Sequence, residues 1–146
     1  MSELHQIILT SSFTILGGII IFITGQVVVR FLIEPIQEQY KVIGRIASSL
    51  LFYANVYANP GFVAKEFSDE TTESLRRHAS DLISSTRMIP LYRLWEVLGV
   101  SPKSEEIKQA FKDLIFLANS THTGSTEWNI GARRRIEKSL HIEMVP

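Results

Sequence analysis

The chain has no cysteine. This removes the thiolate half of the usual zinc-ligand sets and fits a domain that faces the cytosol. Charge is missing from one long stretch: the 23 residues from Ile7 to Val29 include no Asp, Glu, Lys or Arg. No Lys or Arg precedes Arg30, although the chain contains 15. Formal net charge is zero, so no global excess of one sign argues for a nucleic-acid binder. No segment alternates like a strand, and there is no internal repeat, glycine-rich phosphate loop or nucleophile elbow. The histidines, His5, His78, His122 and His141, stand far apart with no His-x(2–4)-His pair. No metal set is therefore expected, and nothing asks for a cofactor.

What is present divides sharply. "IILTSSFTILGGIIIFITGQVVV" would be about 35 Å long as a helix, against a hydrocarbon core of about 30 Å. A soluble core helix would carry charges on one face, and this segment has none. "MSELHQ" lacks the basic start of a signal peptide, and "TGQVVVR" offers no small-x-small cleavage site, so the segment reads as an uncleaved anchor. Arg30, Lys41 and Arg45 follow it closely, which by the positive-inside rule puts the N-terminus outside and the remainder in the cytoplasm. The expected organisation is an extracytoplasmic N-terminus over 1–6, a transmembrane helix over 7–29, a junction over 30–35 and a cytoplasmic helical domain over 36–146.

Within the span, Thr10, Thr14, Gly17, Gly18, Ile21 and Gly25 recur at steps of three and four. They oppose a bulkier side that contains Leu9, Phe13, Leu16, Ile20 and Ile23. Lipid gives helices no hydrophobic drive to associate, so close approach at small residues takes that role. Thr10, Thr14, Gly17, Gly18 and Gly25 are the candidate self-association face of a homo-oligomer, and Gln26 is a costlier residue to leave in lipid.

The remainder reads as all-α, four longer helices and one short one, packed as a bundle. Pro35 either starts a helix or kinks one that continues. Ile36 to Tyr57 carries two apolar stripes, Tyr40, Ile43, Ala47, Leu50, Ala54 and Tyr57 beside Val42, Ile46, Tyr53 and Val56, and "NPG" at 59–61 ends it. Ser68 or Asp69 is the expected cap of the next helix, which turns Leu75, Ala79, Leu82 and Ile83 inward. A short helix runs from Pro90 to a stop at Gly99. Ser101 caps a helix facing the core with Ile107, Phe111, Leu114, Ile115 and Ala118. The last helix turns Trp128, Ala132, Ile136 and Leu140 inward. Asn55, if buried, would fix the packing of neighbouring helices.

Two local patterns carry chemistry elsewhere. "LWEVLGVSPKSEEIKQAFKDL", Leu94 to Leu114, resembles the start of a J-domain, but no His-Pro-Asp follows, and the next histidine is His122 in "THTG". "RRRIEKSLH" sets Arg134 and Arg135 at Arg-x(4–6)-His spacing from His141. This is similar to HEPN ribonucleases, where His acts as acid or base and Arg steadies a phosphate. The plainer reading is a basic, solvated face near a helix C-terminus.

"FLIEPIQEQYKVIGRIASSLLFYANVYANPG", "LRRHASDLISSTRMIPLY" and "LGVSPKSEEIKQAFKDLIFLANS" together resemble a group of small, mostly uncharacterised bacterial membrane proteins with one N-terminal span and a helical cytoplasmic domain. The order of parts is also similar to the small membrane accessory protein of type VI CRISPR systems, which pairs a span with a HEPN-like bundle. The resemblance implies a single-pass protein of the inner membrane and no established activity. The leading expectation is a non-enzymatic protein that acts by self-association or by docking a cytoplasmic partner. A membrane-tethered HEPN-like ribonuclease or RNA binder, and an oligomeric pore used in stress or phage defence, are the alternatives; nucleic acid is the less favoured partner.

Overall fold

A computed structural model describes residues 3–142. Every regular element among them is helical. The chain divides between Glu34 and Pro35 into two compact units.

The first unit contains helix α1, Glu3–Val28, with no buried residue. A π turn, Val29–Ile33, follows it directly, and α2, Glu34–Phe52, continues from that turn. In the turn the Glu34 N–H reaches the carbonyl of Val29, five residues back. Pro35 explains its place. Proline has no N–H to donate, and its ring crowds the carbonyl four residues earlier. A wider turn just before it absorbs that misfit while the helix runs on. Of the two readings of Pro35, continuation is the one observed.

The second unit is built around α4, Lys65–Arg87, α6, Ser104–Ser120, and α7, Thr126–Ser139, with α6 packed against both of the others. Its core joins Val42, Ile46 and Leu50 of α2 to Leu75, Ala79 and Leu82 of α4, Ile107, Leu114 and Leu117 of α6, and Ala132 and Ile136 of α7. A fully buried Leu or Ile contributes roughly 1.5–3 kcal/mol. Both stripes of α2 are used, although Tyr40 lies exposed.

The expected helix over 36–57 breaks at Tyr53, which leaves α3, Ala54–Ala58, as a separate turn. The Tyr57 hydroxyl donates back to the carbonyl of Leu50, one of the last in α2.

Several ends lie elsewhere than the spacing suggested. Helix α4 begins at Lys65 behind Ala64, and Ser68 is buried within it rather than capping it. Helix α6 begins at Ser104, three residues after Ser101, with the Lys103 N–H donating to the Glu106 carboxylate (2.8 Å). The short helix α5, Tyr92–Val97, starts after Leu91, a non-glycine residue at φ 53°. It ends as expected at Gly99, φ 69°, where the Val100 N–H bonds Trp95 and the Gly99 N–H bonds Glu96. That pair of bonds is a Schellman closure, which favours glycine at this position.

Trp128 is 67 % exposed, not core, and Asn129 takes the inward position beside it. Asn55 is exposed and accepts from Asn59. Phe111 and Ile115 pack at the rim of the core, half-buried.

Candidate functional site

Two clusters of buried polar side chains tie helices together at the ends of the bundle. Asn129 is fully buried; it donates to the Tyr57 carbonyl (2.8 Å) and accepts from the Ser120 hydroxyl (2.6 Å). Gly124 makes this junction possible, because a Cβ there would stand 2.5 Å from the Ser120 carbonyl oxygen. At the opposite end of the bundle, buried Gln39 donates to the Thr86 hydroxyl (2.9 Å) and the Tyr92 hydroxyl (3.1 Å). Tyr92 in turn donates to the Pro102 carbonyl (2.7 Å). The Gln39 Oε1 acceptor is buried without a partner among the described residues. Burial pushes the Tyr92 phenol above its ordinary value.

The basic face of α7 is largely committed to carboxylates. Arg135 grips the buried Asp113 of α6 with two nitrogens, Nη2 at 2.7 Å and Nε at 3.0 Å from Oδ1. Arg133 pairs with Glu137 (2.6 Å). Arg134 is exposed. His141, at φ 53° just past α7, has its Nε2 3.6 Å from the Glu106 carboxylate. Glu106 and Asp113 are seven residues apart on α6, or about 10 Å along the helix. The two carboxylates therefore hold Arg135 and His141 at separate stations, and no hydrogen bond or ion pair among the described residues joins Arg134 or Arg135 to His141. A bidentate Arg–carboxylate pair is a strong, oriented contact, and here it spends Arg135 on fold.

A shallow cleft is lined by Tyr53, Glu70, Glu73, Ser74, Arg77 and His78. His78 Nε2 lies 2.7 Å from the Ser49 hydroxyl, and its Nδ1 is buried without a partner among the described residues. Burial lowers the imidazole below its ordinary 6.5; Arg45 and Arg77 act in the same direction, and Asp81 opposes them. The Tyr53 hydroxyl donates to Glu70 (3.0 Å). A larger groove, of about 660 Å³, runs along α4 and α6 over Ile83, Met88, Phe111 and Ile115, with Arg76 and Arg87 at its edge. No carboxylate or histidine lines it. Among the described residues no three His, Asp or Glu side chains gather as a metal-ligating group.

On α1, a Cβ added at Gly17, Gly18 or Gly25 would meet nothing within 4 Å among the described residues. The Thr10 and Thr14 hydroxyls donate to the carbonyls of Gln6 and Thr10, each at 2.9 Å. Their donors are used within the helix, which leaves only their lone pairs and their small size for a neighbour.

The sequence gives little signal for Gln39, Asn129 or Asp113, because a polar residue within an apolar period looks the same whether it is buried and bonded or turned to water. What the fold defines is an all-α protein whose N-terminal helix is long and apolar enough to cross a membrane. Set beside known protein families, curated proteins and solved structures, the chain matches none.

Proposed function

We propose that this is a single-span protein of the bacterial inner membrane, N-terminus outside and helical domain in the cytoplasm, which works by association and not by catalysis. One observation carries the reading: α1 is 26 residues long and buries none of them within the chain. Phe13, Leu16, Ile20 and Ile23 all stand exposed along it. Water would solvate such a surface poorly, whereas lipid solvates it throughout. Arg30, Lys41 and Arg45 support the orientation.

Two surfaces support association. The face of Thr10, Thr14, Gly17, Gly18 and Gly25 is narrow and open enough for a second span to approach closely, as a homo-oligomer requires. Leu51, Phe52, Phe62, Phe67 and Trp128 are exposed where α2 ends and where α4 and α7 begin, with Phe62 at 92 %. The Thr126 hydroxyl bonded to the Ala58 carbonyl (2.7 Å) ties the start of α7 to α3. Exposed aromatics of this kind suit a cytoplasmic protein partner. The commitment of Arg135 to Asp113 favours a structural role over RNA cleavage for that residue.

A reporter active only in the cytoplasm, fused after Pro146, is expected to give signal, and a periplasmic one none. The reverse pattern, or release of the chain from membranes by alkaline carbonate, would overturn the reading.

A further inference from the structure

We propose that the groove between α4 and α6 is a docking site for an amphipathic helix of a partner protein, acidic at both ends of a short apolar stripe. The inference deepens the association reading above, and rests on it, by naming the chemistry of the partner. The groove lies wholly within the second unit and holds about 660 Å³. Helices α4 and α6 run antiparallel beside it: the Thr72 hydroxyl meets that of Thr121 (2.7 Å) toward one end, and Arg87 shares the groove with Phe111 toward the other. Its apolar walls are Ile83, Phe111 and Ile115, each partly buried against the core, and Met88, which is 66 % exposed. Ser80 and Ser84 are exposed on the α4 side, and their small size leaves those walls accessible.

Charge and length point to the occupant. At 100° per residue, Arg76, Ser80, Ile83 and Arg87 fall within about 60° of one another, so the two arginines stand in line, about 16 Å apart along α4. Both are exposed, and among the described residues neither is in a salt bridge and no carboxylate lines the groove. Arg76 donates to the Asn119 amide oxygen (2.8 Å), a neutral acceptor that orients the guanidinium without cancelling its charge. Two uncompensated cations at the ends of an apolar floor call for an anion at each end and an apolar middle. A length of about 16 Å is three turns of helix, and the channel between two packed helices receives the side-chain ridges of a third. A partner helix with apolar side chains at i, i+4 and i+7, flanked by acidic ones, meets both arginines at once. A small anionic amphiphile has a single charged head and meets only one of them. Met88 suits contact with such a helix, because an unbranched thioether adapts to varied shapes.

The probe is a synthetic, fluorescein-labelled peptide of about 15 residues, with leucine at i, i+4 and i+7 in an alanine and glutamine background and two glutamates at each end. It is titrated against the full chain in phosphatidylcholine nanodiscs, with empty discs as the blank, and followed by fluorescence anisotropy. Saturable binding is expected, and a twin peptide with lysine in place of glutamate should not bind. Arg76→Glu with Arg87→Glu should weaken the acidic peptide by roughly tenfold or more and gain the lysine twin, an exchange of preference that a misfolded domain does not produce. Ser84→Trp, which fills the groove from an exposed position, should remove binding of the acidic peptide. Equal binding of the two peptides, or an acidic-peptide affinity unchanged in the arginine or the tryptophan variant, overturns the inference. So does binding of laurate in place of the peptide, which would make the groove a site for a small anionic amphiphile. The mass of the same nanodisc particles separates the two readings: an oligomer that ignores the acidic peptide leaves association standing and removes only the groove.

Discussion

At the scale of single residues, polar atoms decide more than apolar ones. Asn129 satisfies the Tyr57 carbonyl and the Ser120 hydroxyl at once, inside a junction that Gly124 keeps narrow. Asn129→Leu should cost about 1–3 kcal/mol for each group left unpaired, read from denaturant unfolding of the full chain in detergent. His78 sets a pH dependence. Its folded pKa lies below the ordinary 6.5, so the unfolded chain takes up the proton first as pH falls. Stability should therefore hold above about pH 6.5 and decline as pH drops from there toward the folded pKa. His78→Gln should flatten that decline in melts recorded across the range. The choice between Asn129 and its neighbour was not legible beforehand. Trp128 and Asn129 stand four and three residues before Ala132, and both spacings are helical. Apolarity argued for Trp128, but the site beneath the Tyr57 carbonyl needs a donor, and an indole is too large for it.

At the scale of elements, the periodicity of the sequence located every longer helix and displaced several of the ends. Caps are the reason. Ser68 and Ser101 are good cap residues by type, but a serine inside a helix can bond its own backbone or a neighbour, and the spacing does not reveal which. Gly99 was legible because a left-handed stop at the end of a short helix admits few other residues. The π turn left a trace only in Pro35. Depth within the core grades the helix faces. Leu114→Ala, which empties a fully buried site, should lower stability by about 2–5 kcal/mol. Phe111→Ala, at the half-buried rim, should lower it by less despite removing a larger side chain. Thermal melts of the two variants side by side check the order, and a larger loss at Phe111 would show that the α4–α6 groove is closed in solution.

At the scale of the whole molecule, the all-α fold and the apolar N-terminal helix could be read directly from hydropathy and period. What the protein assembles with could not, since a face that packs on a partner and a face that meets lipid have the same composition. The span offers the clearest test. Thr14→Leu with Gly18→Leu keeps the helix apolar but blocks close approach along the small face. Native particles in nanodiscs should have the mass of an oligomer and crosslink through the span, and the double variant should fall toward the monomer in both measurements. Equal mass and crosslinking in the two proteins would leave α1 as an anchor alone.

The unbroken helical run from Glu3 to Phe52 also has a bearing on how the protein is made. The apolar helix is translated before α2, so on the anchor reading proposed above α2 leaves the ribosome behind a segment already held by the bilayer. The surfaces that α2 buries against, from Leu75 to Ile136, have not yet been synthesised at that moment. Val42, Ile46 and Leu50 stay uncovered until α4, α6 and α7 arrive, and the tie from Asn129 to Tyr57 closes only near the end of translation. A ribosome that stalls within α6 would therefore leave a fragment with half a core open, more exposed to proteolysis than the finished chain.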